Sequence, residues 1–462
     1  MKKLFGTDGM RGEAGKFPLD ASTLGIVGAS LAKCLKEKLG RTPLIVIGRD
    51  TRESGEWLEH ALVAGAVMAG AESKSAGVIT TPGVAFLART LPADAGVVIS
   101  ASHNAYRDNG IKIFAPSGHK IDEETERLIE SDVFSEVDGF SETESHTTAN
   151  QFWTPNKTIT INHEAADLRA RYLGFLADEI GRGISLNGIR LVLDCANGAA
   201  SSLAPELFGR LGALVTAINN SPDGRNINLN CGSLHMEGLQ HEVLKQRADL
   251  GVAFDGDADR ALFVDAQGGL INGDASLWVL AKYLHARQQL AYDTVVATVM
   301  SNIGLEQALQ SLGLHLVRTD VGDKYVLDEL VRLGASLGGE QSGHIIFPKL
   351  SLAGDGFITT LALLRAMAEE GKSLQELTEG FRTFPQILIN VDVREKRPFA
   401  EVESIRSAAQ HIEASLGSRG RLLLRYSGTE PLARVMIEGE SQTEIEKLAQ
   451  DLASVIGKAL GS

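Results

Sequence analysis

The chain alternates short apolar runs with longer amphipathic stretches, and the runs fall into three copies of one pattern. Residues 44–47, 191–193 and 295–298 are aliphatic or β-branched and too short for helices, and each passes into a polar turn: Gly48-Arg49-Asp50, Asp194-Cys195-Ala196-Asn197-Gly198 and Met300-Ser301-Asn302. Helices are expected to follow from Glu56, Ala199 and Gly304. Each copy then offers a second apolar run, at 97–99, 251–254 and 335–337, ahead of a polar loop. A third run comes after that loop, at 111–114, 261–264 and 345–347. Strands alternating with helices predict α/β domains with mostly parallel sheets, which place ligand loops at the carboxyl ends of their strands. Three equivalent loops would then be available to one ligand.

The tail reads differently. Residues 387–393, 422–424 and 435–437 are strand-like, whereas Val402, Ile405, Ala409, Ile412 and Leu416 recur at helical spacing, as do Ile445, Leu448, Leu452 and Ile456. The expected fold class is therefore α/β: three similar mixed-sheet α/β domains plus a smaller C-terminal α+β domain. The expected boundaries are 1–155, 156–253, 254–369 and 370–462. A length of 462 residues accommodates several domains.

Composition narrows the partners. With 44% hydrophobic and 23% charged residues the chain is neither disordered nor fibrous. The longest run of small and apolar residues, 61–71, is well short of the roughly 20 needed to cross a bilayer, so no membrane span is expected. Gly6-Thr7-Asp8-Gly9 stands where a signal peptide would need its apolar core, which points to a cytoplasmic location. Cys34, Cys195 and Cys231 lack paired spacing and predict small semi-buried residues, with neither a disulfide framework nor a zinc site. A formal charge of −14 argues against nucleic acid, whose phosphates need a basic surface. The Ser/Thr/Glu-rich stretch 130–150 is expected to be solvated loop or linker.

The loops carry the candidate chemistry. Asp255, Asp257 and Asp259 alternate with Gly256 and Ala258 between apolar strands. Like charges at ~4 Å repel by roughly 4 kcal/mol at an effective dielectric near 20, so such a cluster takes up a proton or a cation. An all-oxygen set suits Mg²⁺ before Ca²⁺ or Mn²⁺. Ser102, in Ser100-Ala101-Ser102-His103-Asn104, occupies the corresponding loop of the first copy. A serine facing a magnesium site suggests phosphoryl rather than acyl transfer. His103 would orient a phosphate or relay a proton, and Lys112 would neutralise an equatorial oxygen. The third loop offers Glu340 and Ser342, suited to vicinal sugar hydroxyls, and His344, a possible proton carrier. In the tail, Arg425, Ser427, Gly428 and Thr429, with Arg434 beyond them, predict a phosphate clamp.

Five motifs in order, Phe5-Gly6-Thr7-Asp8-Gly9-Met10-Arg11-Gly12 and the loops at Ser102, Asp255, Glu340 and Arg425, make the chain similar to the α-D-phosphohexomutase superfamily over essentially its whole length. The resemblance implies four domains around a central cleft. It implies that Ser102 carries the phosphoryl group and that Asp255, Asp257 and Asp259, with Ser102, hold one Mg²⁺. Arg11, Lys112 and Arg260 would surround the transferred phosphoryl group, Glu340 and Ser342 would bind sugar, and Arg425, Ser427, Gly428, Thr429 and Arg434 would hold the other phosphate. Lys112, His103 and His344 all stay open as general acid or base. Gly339-Glu340-Gln341-Ser342-Gly343-His344 and the segment from Pro222 to Ser233 look like the amino-sugar branch. That branch implies interconversion of glucosamine 6-phosphate and glucosamine 1-phosphate through a glucosamine 1,6-bisphosphate, feeding UDP-N-acetylglucosamine synthesis, in a homodimer. Mutases of mannose or glucose phosphates and a magnesium-dependent sugar phosphatase are the alternatives. Ala105 departs from the proline frequent after Ser-His-Asn, which leaves the rigidity of that loop to be explained.

Overall fold

The computed structural model describes residues 3–6, 8–139, 164–427 and 430–461. They form two compact units, one of Met1–Thr298 with Thr319–Glu379 and one of Val299–Arg318 with Gly380–Ser462.

In the first unit, β1 (Phe5–Gly6), β2 (Gly9–Glu13), β3 (Leu44–Arg49), β4 (Glu72–Val78), β5 (Ala95–Ile99) and β6 (Asp108–Phe114) form a sheet in the order β1-β2-β6-β5-β3-β4. A second sheet, in the order β11-β10-β9-β7-β8, contains β7 (Arg190–Asp194), β8 (Leu214–Ile218), β9 (Leu250–Phe254), β10 (Ala261–Asp265) and β11 (Leu270–Ile271). In the third copy β12 (Thr294–Thr298) pairs in parallel with β14 (Gly338–Gly339), which pairs antiparallel with β15 (Ile345–Ile346); β13 (His315–Thr319) lies between β12 and β14 in sequence. The internal repeat is thereby explicit. In each copy a parallel pair (β3 with β5, β7 with β9, β12 with β14) is followed by an antiparallel strand (β6, β10, β15). The hairpin loops of those antiparallel pairs hold Ser102, the three aspartates, and Glu340 with His344.

Aliphatic residues at helical spacing explain the helices. Ala21–Leu39 and Gly55–Met68 bury Leu24, Val27, Leu31, Leu58 and Leu62 against Ile45, Ile47, Val97 and Ile99 of the first sheet. Three expectations are corrected. The strand expected at 335–337 is β14, one step later, because helix Asp323–Leu333 ends on Gly334 in the left-handed conformation and 335–337 serve as the link. The first part of the stretch 130–150 is helical rather than loop. Helix Glu123–Gly139 extends through it because Ile129 and Val133 are buried, and Glu130 accepts hydrogen bonds from Leu4 N and Phe5 N. The rest of that stretch lies outside the described residues. All three cysteines are free and buried rather than semi-buried, because each lies within the packed interior of its domain and not at a surface turn. The β1–β2 hairpin has no apolar periodicity to announce it, yet it carries Asp8 and Arg11. Among the described residues no helix is long and apolar enough to cross a membrane.

In the second unit β16 (Gln386–Asp392), β17 (Gly420–Tyr426) and β18 (Leu432–Gly439) form an antiparallel sheet in the order β16-β18-β17. Helices Glu403–Leu416 and Gln442–Leu460 bury Ile405, Ile412, Ile445, Leu452 and Ile456 against Val435 and Ile437. The α+β reading of the tail holds. The segment Val299–Arg318 belongs to this unit through the fully buried Glu438, which accepts from Asn302 Nδ2 at 3.2 Å, Ile303 N at 3.2 Å and Arg421 at 2.8 Å.

Candidate active site

Alternation along the β9–β10 loop sends the side chains of Asp255, Asp257 and Asp259 to one place. One carboxylate oxygen from each lies within 4.8 Å of the others, and all three residues are buried. Oδ1 of Asp257 and of Asp259 make no hydrogen bond, although a buried polar atom is normally satisfied. Burial, together with the Asp259 and Asp257 carboxylates, pushes the Asp255 carboxyl well up. Buried oxygens without a hydrogen bond and mutually repelling carboxylates are the donor set of a hard-cation site, so the residues fit Mg²⁺. Gly256 is required by a close approach: a Cβ there would lie 2.5 Å from Ser102 O and 2.9 Å from Asn228 Nδ2.

Ser102 meets this cluster directly. Its Oγ donates to Asp255 Oδ2 at 2.5 Å and lies 3.4 Å from His103 Nδ1, with the residue 2% exposed. Lys112, on β6, is equally buried, and its ammonium lies 3.2 Å from Asp257 Oδ2, 3.3 Å from Asp8 Oδ2 and 3.4 Å from Asp259 Oδ2. Burial alone would lower its pKa, but Asp257, Asp8 and Asp259 outweigh it and hold the ammonium well above the usual lysine range. Arg11 pairs with Asp8. Arg260 Nη1 lies 3.4 Å from His103 Nδ1, and its backbone N–H donates to Asp255 Oδ1 at 3.2 Å. Burial, then Arg260 and Arg11, push the His103 imidazole down, which favours the neutral ring.

The third loop packs against the second, with Ala261 N donating to Gly343 O at 3.2 Å. Glu340 Oε1 accepts from Gly322 N and Oε2 from Ser342 Oγ, each at 3.2 Å. His344 Nε2 accepts from Gly354 N–H at 3.2 Å, and Nδ1 lies 3.6 Å from Asp259 Oδ2. Asp259 favours a charged ring against the cost of burial. In the neutral ring a proton on Nε2 would confront the Gly354 N–H, so that form keeps its hydrogen on Nδ1, facing the carboxylate. A cavity of about 410 Å³ lies beside the cluster, lined among others by Asp8, Lys112, Lys120, Asp259, Asp323 and His344; Ser102 and Glu340 do not line it.

Three contributors had no clear signal in the sequence. Thr81, at the start of helix Thr81–Thr90, donates from Oγ1 to Asp257 Oδ2 at 2.5 Å, and its N–H donates to Asp257 O at 3.0 Å. Asp8 stood inside the amino-terminal motif, but nothing marked it as the counter-ion of Arg11, Lys112 and Lys120. Lys120 bridges Asp8 at 2.9 Å and Asp323 at 2.9 Å.

In the second unit the expected clamp residues Arg425 and Arg434 are direct cross-strand partners on β17 and β18. Two guanidinium groups opposite each other destabilise a sheet unless an anion or carboxylate lies between them. Arg434 Nη2 reaches Ser427 Oγ at 3.4 Å and Glu430 Oε2 at 3.2 Å, while its Nε is buried without a hydrogen bond. Lys396 Nζ donates to Ser427 O at 2.6 Å. Gly428 and Thr429 lie outside the described residues.

Known proteins match in the same order. Models of the phosphoglucomutase/phosphomannomutase alpha/beta/alpha domains I, II and III match residues 2–139, 170–269 and 272–384, and that of the C-terminal domain matches 388–455. Phosphoglucosamine mutase of Solibacter usitatus is 48% identical over 100% of this chain and 99% of its own length. That of Rhodococcus opacus is 47% identical over 99% of each chain. Among solved structures, a phosphoglucomutase/phosphomannomutase family protein of Burkholderia thailandensis gives a TM-score of 0.77 at 23% identity, covering 99% of this chain and 98% of its own. The Aspergillus fumigatus N-acetylphosphoglucosamine mutase, solved with GlcNAc-6P and magnesium, gives 0.63 at 20% identity, covering 100% and 96%. These structural likenesses speak for the fold. With four domain models in order and relatives up to 48% identical along the whole sequence, the chain belongs to the phosphoglucosamine mutase family.

Proposed function

We propose that the chain interconverts glucosamine 6-phosphate and glucosamine 1-phosphate, an isomerase reaction, through a phosphoserine at Ser102 and glucosamine 1,6-bisphosphate. The observation that carries this reading is the Ser102 hydroxyl at 2.5 Å from Asp255 in a buried aspartate triad flanked by Lys112. The C1 hydroxyl oxygen of glucosamine 6-phosphate attacks the phosphorus on Ser102. The bond from that phosphorus to Oγ breaks, and the hydroxyl proton passes to Oγ. After the bisphosphate turns over, Oγ attacks the phosphorus at C6, the bond to O6 breaks, and O6 takes the proton.

Asp255, Asp257 and Asp259, with Ser102, would hold Mg²⁺, which when bound supplies positive charge for the phosphoryl oxygens. Lys112, Arg11 and Arg260 add charge around the phosphoryl group. His103, with Nδ1 at 3.4 Å from Oγ, is the group placed to exchange the serine proton. His344 acts through Asp259, which it orients. Glu340, fixed by Gly322 N–H and Ser342, accepts from sugar hydroxyls. Arg425, Ser427 and Arg434, with Gly428 and Thr429, bind the phosphate that is not being transferred. A cytoplasmic homodimer supplying UDP-N-acetylglucosamine synthesis completes the reading.

Turnover of glucosamine, glucose and mannose 6-phosphates tests it. A kcat/KM about tenfold higher for the amino sugar is expected, since glucose and mannose carry a neutral hydroxyl where it carries a C2 ammonium, and a hydrogen bond to a charged group is worth roughly 1–1.5 kcal/mol more than a neutral one. Preference for mannose or glucose would reassign the substrate, and release of inorganic phosphate and free sugar with no hexose 1-phosphate would make the protein a phosphatase.

A further inference from the structure

Ser102 adopts φ 50°, the left-handed region, which a non-glycine residue enters only when its surroundings impose it. The imposing groups come from outside its loop. Arg52, 1% exposed, follows the turn after β3 and donates from Nη2 to Ser102 O at 3.0 Å and Asn104 O at 2.9 Å. Its Nη1 donates to Asp108 O at 3.0 Å and also to Ala105 O, and its Nε is held by Asp50 Oδ2 at 2.9 Å. Asp50 Oδ2 in turn accepts from Ser100 Oγ at 2.7 Å, and Ser100 Oγ accepts from Ser102 N at 2.9 Å. From the other side Asn228 Nδ2 donates to the same two carbonyls, Ser102 O at 2.9 Å and Asn104 O at 3.0 Å.

We propose that Arg52 and Asn228 are positioning residues that clamp the backbone of the phosphoryl-carrying serine from two domains, fixing the direction of its Oγ. The proposal rests on the reading of Ser102 as the phosphoryl carrier. The planar guanidinium fork holds four carbonyls at once, which the point charge of lysine does not. This clamp also supplies the rigidity that Ala105, in place of proline, does not. A displacement of Oγ by about 1 Å moves it out of line with the attacked phosphorus, and misplacements of that size cost on the order of 10²-fold in rate. Both side chains spend their donors on the carbonyls of the serine loop, so substrate affinity is expected to hold when either is changed.

The test is single-turnover transfer from enzyme phosphorylated with glucosamine 1,6-bisphosphate, comparing wild type, Asn228→Asp and Arg52→Lys. Asn228→Asp keeps the shape and turns both donors into an oxygen facing two carbonyls. The expected result is a transfer rate constant lowered about 10–100-fold with KM within about threefold. A merely structural role would lower the amplitude, which counts folded molecules, and leave the rate constant unchanged. An unaltered rate constant in Asn228→Asp overturns the clamp, even if Arg52→Lys fails to fold. Wild-type protein that carries no phosphate on Ser102 overturns the serine reading itself, which is a distinguishable result.

Discussion

Asp257 shows how much a single residue's neighbourhood decides. One of its carboxylate oxygens is shared by the Thr81 hydroxyl and the Lys112 ammonium, and the other is buried with nothing to accept from. The Thr81 hydroxyl thus turns the free oxygen toward the proposed cation. Thr81→Val keeps the side-chain volume and removes the donor. The Mg²⁺ concentration for half-maximal activity is expected to rise about 10–100-fold, with kcat at saturating Mg²⁺ near wild type; a magnesium titration of initial rates measures both. The aspartates and Ser102 were legible in the sequence because their spacing concentrates chemistry in a few consecutive positions. Thr81 was not, since it stands 176 residues from Asp257 in an ordinary helix start. Arg52 and Asn228 escaped for the same reason: their ligands are backbone carbonyls far away in the chain, which no side-chain pattern encodes.

At the scale of elements, helix Gly356–Glu370 begins directly beneath the aspartate loop, with Gly356 N donating to Ala258 O at 3.1 Å. Its N-cap, Asp355, accepts from Phe357 N at 2.8 Å and Ile358 N at 3.1 Å, and from the buried Tyr172 hydroxyl at 2.7 Å. Burial pushes its carboxyl up to about 6 from 3.8, against those hydrogen bonds and with a smaller push from the Asp259 carboxylate. The folded state therefore keeps this proton where the unfolded chain has lost it. The resulting stability is complete below pH 3.8 and is lost as pH rises through 6. Asp355→Asn keeps a good N-cap and abolishes the titration. Between pH 4 and pH 7, denaturant unfolding of wild type is expected to lose roughly 2 kcal/mol relative to the variant. Parallel stability–pH curves for the two proteins would contradict this. The elements themselves were mostly legible, the exceptions being two-residue strands such as β1 and β14, too short for any periodicity to show.

At the scale of the whole molecule, the threefold repeat was readable because each copy sends its chemistry out of the same hairpin, between an apolar strand pair. The membership of Val299–Arg318 in the C-terminal unit was not. It depends on a buried carboxylate, Glu438, which meets Arg421 in its own sheet and Asn302, 136 residues away in the sequence, in a stretch that looks like a continuation of the third domain. Each loop is unremarkable alone, and the chemistry arises only where the first and second loops meet over Ser102 and Asp255. The direct test is intact-mass analysis with peptide mapping of protein incubated with glucosamine 1,6-bisphosphate, then with excess glucosamine 6-phosphate. One phosphoryl group on Ser102, discharged by the sugar phosphate and absent from Ser102→Ala, is the expected result. A phosphoryl group on another residue, or turnover that persists in Ser102→Ala, would contradict it.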